Sequence, residues 1–253
     1  TDTFTVRLNS EPTGTVVLTV ASDDTGEATV SPATLSFGLF NWHTPQTVTV
    51  TGVDDDLDDG NQASTATVAV DAASTGDSLY DALASQDVDV TTVDDDTAGF
   101  TLSTTTASVT EAGSTDTFTV VLDVAPTTDV VLTVASDDTG EATVSPATLT
   151  FTTSDWSTPQ TVTVTAVDDN VDDGNQSASL TVAVVDASSA DEYDDVADQV
   201  VSVTAVDDDT AGFTLSTTTA SVTEVGSTDT FTVRLNTEPT GTVVLTVGSS
   251  DTG

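Results

Sequence analysis

Cysteine and methionine are missing from this 253-residue chain, and basic residues nearly so. Two Lys plus Arg and one His stand against 43 Asp plus Glu, a formal charge of −41. Without cysteine there are no disulfides and no thiolate metal sites. Two cations cannot build the basic footprint that phosphate backbones require, so nucleic acid is excluded as a partner. An anionic membrane surface is excluded on the same ground. No apolar run is long enough to span a membrane. Aromatics make up 5% of the chain, and few aromatics with high charge would suggest disorder. The 36% of residues that are hydrophobic argue otherwise. Val alternates with Thr in "TVTVTAV" and "DTFTVVL", the two-residue period of half-buried strands.

Self-similarity fixes the organisation. "TDTFTV" begins at Thr1, Thr115 and Thr228, and "SDDTGEATVSPATL" at 22–35 recurs unchanged at 136–149. "TPQTVTV" at 44–50 recurs at 158–164, and residues 228–253 copy residues 1–26 with three substitutions. A period of about 113 residues is long enough for each unit to bury its own core. The expected domains are residues 1–96, residues 97–209 as the complete unit, and residues 210–253 as the start of a third, in a window of a longer array. The complete unit shows seven strand-like stretches: 100–110, 116–122, 129–135, 147–152, 160–167, 178–185 and 199–206. Seven short strands without a helical pattern predict an all-β fold, tandem immunoglobulin-like β-sandwiches arranged as beads on a string.

In successive antiparallel strands, connections alternate between two poles. Loop 1–2 with Glu111, loop 3–4 with Asp137 and Asp138, and loop 5–6 with Asp168, Asp169, Asp172 and Asp173 then share one pole. The end of the seventh strand brings Asp207, Asp208 and Asp209 there too. The equivalents in the flanking repeats are Asp23, Asp24, Asp54, Asp55, Asp58, Asp94, Asp95, Asp96, Glu224 and Asp251. Adjacent carboxylates repel by about 1 kcal/mol per pair even in water, so the pole calls for a counter-ion. An all-oxygen donor set suits Ca²⁺, which takes six to eight oxygens in irregular geometry, better than Mg²⁺. Zn²⁺ and copper want His or Cys. An EF-hand is excluded. In "DDDLDDGNQAST" from Asp54 and "DDNVDDGNQSAS" from Asp168 the glycine falls one position late, and Thr65 and Ser179 replace the closing Glu.

Acid in the first loop, acids between strands three and four, "DD" after strand five and "DDD" closing the unit resemble the Calx-beta domain. Also similar are "SPATLTF", then Trp156 and "TPQTVTV", and Ser189-x-Asp191-x-Tyr193, as in Calx-beta-like repeats of bacterial and archaeal surface proteins. The resemblance implies that Glu111, Asp138, Asp168, Asp169 and Asp207 to Asp209 bind several Ca²⁺ ions per repeat. The chain departs from the family at Asp172 and Asp173, where Glu is frequent.

General acidification accounts for total charge but not for its clustering, nor for 36 Asp against 7 Glu, although Asp also favours turns. Trp42 and Trp156 read as packing anchors, Tyr80 and Tyr193 as packed beneath their loops, and His43 as a surface residue. Asn175-Gln176-Ser177 is a glycosylation sequon, but Asn61-Gln62-Ala63 in the equivalent place is not. No repeated Ser/His/Asp set and no phosphate loop speaks for an enzyme. The expected role is an extracellular or cell-surface structural module, a Ca²⁺-stiffened adhesin stalk or surface fibre. Its partners would be neighbouring repeats and lateral copies in a filament, with any glycan or host-surface target elsewhere in the full protein. Two alternatives remain open: a glycan- or protein-binding adhesive module, and a salt-stabilised surface-layer or filament component of a halophile without specific Ca²⁺ sites.

Overall fold

The computed structural model describes residues 1–250, and the described chain is all-β apart from two short 3-10 turns. It divides into two compact units, Thr1–Ala98 and Gly99–Gly253. In the first, β1 (Asp2–Val6), β3 (Ala28–Ser31) and β5 (Gln46–Gly52) form one sheet in the order β1-β5-β3. Strands β2 (Val16–Ser22), β4 (Thr34–Phe37), β6 (Gln62–Val70) and β7 (Gln86–Thr92) form the other, ordered β4-β2-β6-β7.

The second unit repeats this pattern and adds two strands in front, β8 (Phe100–Leu102) and β9 (Thr106–Thr110). There follow β10 (Thr115–Leu122), β11 (Val130–Ser136), β12 (Ala142–Ser145), β13 (Thr148–Phe151), β14 (Gln160–Ala166), β15 (Gln176–Val184) and β16 (Gln199–Val206). The sheets are β12-β14-β10-β8 and β13-β11-β15-β16-β9, antiparallel except where β9 lies parallel to β16. A two-stranded ribbon of β17 (Phe213–Leu215) and β18 (Val233–Leu235) comes from the third repeat.

Alternation explains the layering. Val162 and Val164 in β14, Leu132 and Val134 in β11, and Leu180 and Val182 in β15 are buried, while Thr163, Thr133 and Thr181 between them are only half-buried. Phe118, Phe151 and Tyr193 fill the centre, and the Tyr193 hydroxyl donates to Val124 O at 2.7 Å. In the first unit Trp42 packs against the core, as expected of an anchor. Tyr80 donates to Ser10 O at 2.8 Å, and His43 is exposed.

Seven strands were expected and nine are found in the complete repeat, because one expected stretch divides and β12 lies outside all seven. Residues 100–110 break at 103–105 into β8 and β9, which join different sheets, as do β12 and β13 on either side of residues 146–147. Ala142–Ser145 was read as loop, since four residues before a proline give too short a period to detect. Sandwich corners are made by strands that switch sheets in this way.

Candidate metal centre

The crossovers from β9 to β10, β11 to β12 and β14 to β15 each pass from one sheet to the other, and they meet where β16 ends. Glu111 N–H donates to Val206 O at 3.1 Å, tying the first crossover to the end of β16. Val167 N–H donates to Glu141 O at 2.9 Å, tying the second to the third. The Asp207 carboxylate accepts from Gly174 N–H at 2.7 Å and from Asp209 N–H at 2.8 Å. Gly174 stands at φ +76° and its counterpart Gly60 at +73°, a left-handed geometry that glycine adopts freely. It aims the amide at the acid: Gly60 N–H likewise donates to Asp94 at 2.7 Å.

Glu111 sits at the centre. It is 3% exposed, and its Oε2 is buried without a hydrogen-bond partner. Burial, then the charges of Asp169, Asp207, Glu141 and Asp173, push its carboxyl up from 4.5 to about 7. Glu141 is raised by its own burial and then by Asp173, Asp138 and Asp169. Asp209 is raised by burial and then by Asp208, Asp207, Asp168 and Asp169. The first unit repeats the arrangement around a cleft of about 30 Å³ lined by Glu27, Asp54, Asp55, Asp59 and Asp94 to Asp96. That volume is about one water's share of the liquid. Glu27 is raised by burial and then by Asp59, Asp55, Asp24 and Asp94, and Asp96 by burial and then by Asp94 and Asp95.

All but two of the predicted residues fall into three groups. Glu111, Asp138, Asp168, Asp169 and Asp207 to Asp209, with Asp24, Asp54, Asp55 and Asp94 to Asp96, share the electrostatics of the acid pole. Asp137 and Asp23 have a strand-tying contact instead: Asp137 accepts from Ser179 N–H and Asp23 from Thr65 N–H, both at 2.7 Å. Asp172 and Asp58 accept from Ala211 N–H and Ala98 N–H, each at 2.7 Å, fastening the loop to the residues after the triple aspartate. Glu224 is exposed in the third repeat, and Asp251 lies outside the described residues. Asn175 and Asn61 accept from Asp207 N–H at 3.3 Å and Asp94 N–H at 3.1 Å, so this repeated Asn holds the acid turn whether or not a sequon surrounds it.

Glu27, Glu141 and Asp59 also belong to the acid pole, although the loop pattern does not mark them. The signal was present: Glu27, Glu111, Glu141 and Glu224 are four of the seven glutamates in a chain that otherwise uses Asp.

Among the described residues, no three His, Cys, Asp or Glu side chains converge as a ready-made metal shell. Several Asp oxygens turn instead to backbone amides, as Asp138 does to Gly140 N–H and Asp169 to Val171 N–H. Such local bonds let like charges stay apart. The donor set still suits one class of ion. It is all hard oxygen and holds a buried carboxylate oxygen with no partner, which matches Ca²⁺.

No protein-family model and no curated protein sequence matches the chain. Among solved structures it is similar to domains 4 and 5 of the S-layer protein SbsC, at 18% identity and TM-score 0.34, over 75% of this chain and 70% of that one. It is also similar to CBD12 from CALX1.2, at 12% identity and TM-score 0.30, over 72% and 73% of the two chains. SSP-19, an MSP-domain protein like family member in Caenorhabditis elegans, matches at 18% identity and TM-score 0.30, over 42% of this chain and 97% of that one. Likenesses this remote carry no argument about function, and the sandwich assignment stands on the strand pairing itself.

Proposed function

We propose that the chain is a structural repeat module of an extracellular or cell-surface array, whose acid poles bind Ca²⁺ and are stiffened by it. The observation that carries this reading is Glu111, a buried carboxylate with an unpartnered oxygen, surrounded by acids from three other chain segments. A buried charge without a partner is costly, and a divalent cation would supply that partner. Glu111, Glu141, Asp169, Asp173 and Asp207 would hold it in the second unit, and Glu27, Asp55, Asp59 and Asp94 in the first. Bound Ca²⁺ would neutralise several carboxylates at once. Sites assembled from several separate loops fit the weak range of extracellular modules, about 10⁻⁴ to 10⁻³ M.

The location of the pole supports a mechanical role. Asp172 holds Ala211 N–H at 2.7 Å, and Glu238 N–H donates to Asn170 O at 2.6 Å, so the acid loop is hydrogen-bonded to the following repeat. An ion in that loop would stiffen the connection. Small-angle scattering of the chain in Ca²⁺ and in EGTA tests this. Extended and rigid profiles in Ca²⁺ that become flexible in EGTA are expected, and identical profiles would defeat it. The salt-stabilised alternative draws on the Asp oxygens already engaged by backbone amides. Under that reading NaCl alone would produce the whole effect.

A further inference from the structure

One loop breaks the near-identity of the repeats. Residues 22–37 match residues 136–151 at all but one place, and residues 44–51 match 158–165 at every place. Between these stretches, "GLFNWH" at 38–43 stands where the second unit has "TTSDWS" at 152–157, and only the Trp is shared. Leu39 and Phe40 stand for Thr153 and Ser154, Asn41 for Asp155, and His43 for Ser157. These exchanges remove the loop's one acid and add two large apolar side chains and the chain's single His.

The frame of the loop is the same in both units. Gly38 N–H donates to Asn41 Oδ1 at 2.6 Å, as Thr152 N–H does to Asp155 Oδ1 at 2.6 Å. Trp42 N–H donates to Gly38 O and Trp156 N–H to Thr152 O, both at 3.1 Å. Leu8 N–H fastens the loop to β1, donating to Trp42 O at 2.9 Å. Trp42 packs on the core and meets His43 edge-on, with ring centroids 5.2 Å apart. On this held turn Leu39 is 50% and Phe40 93% exposed. Thr153, Ser154 and Ser157 are exposed as well, in a unit with chain on both sides of it, so the exposure belongs to the loop.

Charge and hydrogen bonding decide what such a tip fits. Its polar side chains are engaged: Asn41 Nδ2 and Gln46 Nε2 both donate to Ser36 O, at 3.2 and 2.8 Å. Little is left for the directional bonds that orient a sugar or a polar protein surface. Apolar surface remains, and its burial is non-directional. Residues 28–53 contain no Asp, Glu, Lys or Arg, and the tip lies at the opposite end of β5 from the acid loop that follows that strand. The seven residues of β5 span about 23 Å, well beyond the screening length of about 8 Å at physiological salt. The acid pole therefore does not hold the tip away from a neutral surface. An anionic surface would be repelled, since the other loops at this end carry Glu11, Asp71, Asp77 and Asp81.

We propose that residues 38–43 are a membrane-contact loop that seats Leu39 and Phe40 at the headgroup–acyl boundary of a zwitterionic bilayer. Trp42 and His43 stand behind them, at the level where amphipathic rings favour the interface. Burying a Leu and a Phe shifts partition by roughly 10²–10⁴-fold, at most about the hold of one myristoyl chain, so the attachment is reversible. It needs no Ca²⁺ and does not involve the acid pole.

Cosedimentation of the chain with phosphatidylcholine vesicles, in EGTA and about 0.15 M NaCl, tests this apart from any bridging by Ca²⁺. Bound chain should rise with lipid to saturation, and vesicles containing phosphatidylserine should take up less. Leu39→Thr/Phe40→Ser installs the residues that the second unit carries there. It should keep the parent's melting curve and weaken binding about a hundredfold or more. No binding to phosphatidylcholine overturns the proposal, and so does binding that survives the double substitution. Self-association in lipid-free buffer that the same substitution abolishes would assign the tip to a second copy of the chain instead.

Discussion

Replacing Glu111 by Gln should change the sign of its effect according to whether Ca²⁺ is present. Burial and four neighbouring acids raise this carboxyl from 4.5 to about 7, which at 1.36 kcal/mol per unit makes ionisation unfavourable by about 3 kcal/mol. Salt and water at the pole's mouth reduce that to about 1–2 kcal/mol. The folded carboxyl binds its proton more tightly than the unfolded one. The stability this provides is complete below pH 4.5 or so and is lost as pH rises through about 7. In EGTA at pH 8 the Gln variant should melt about 4–16 °C higher than the parent, given about 4–8 °C per kcal/mol for a domain of this size. At pH 4 the two should coincide. In millimolar Ca²⁺ the order should reverse, since Gln gives the ion a neutral and weaker ligand. Calorimetric melts of both proteins under the three conditions decide it. A variant that melts below the parent in EGTA at pH 8 would refute the argument that Glu111 is an uncompensated buried charge.

The same linkage predicts that Ca²⁺ binds more weakly at pH 6 than at pH 8 and releases protons on binding, which calorimetry in buffers of different ionisation enthalpy will measure; pH-independent affinity would contradict it. Asp137→Ala should cost about 1 kcal/mol, the worth of its bond to Ser179 N–H, and leave the number of bound ions unchanged. A lost ion would make Asp137 a ligand. Tyr193→Phe should cost a similar amount through the bond to Val124 O. Phe151→Ala, which empties a fully buried site, should cost about 3–5 kcal/mol. Urea unfolding checks both, and equal costs would contradict the assigned packing.

The all-β class and the common pole were legible because both follow from local pattern. Val–Thr alternation marks strands, and Asp-rich turns mark the connections between them. Two features were not legible. Whether residues 100–110 form one strand or two depends on which sheet each half joins, and that is set by partners far away, β10 for Phe100–Leu102 and β16 for Thr106–Thr110. The roles of individual acids depend on which amide lies nearby. Asp137 and Asp138 are adjacent in sequence, yet one ties two strands and the other faces the pole beside Glu141. Glu141 itself was hidden because it stands next to the unrecognised strand β12, whose first residue is Ala142.

The central claim is that the acid pole is a Ca²⁺ site and not merely a charged face. Calorimetric titration of Ca²⁺ into the chain in about 1 M NaCl, which screens exposed charge to about 3 Å, tests it most directly. The account predicts saturable binding of a small, fixed number of ions per complete repeat, diminished by Glu111→Gln and not reproduced by Mg²⁺. Titration heats that vanish in NaCl, or that are the same for Mg²⁺ and for the Gln variant, would contradict it.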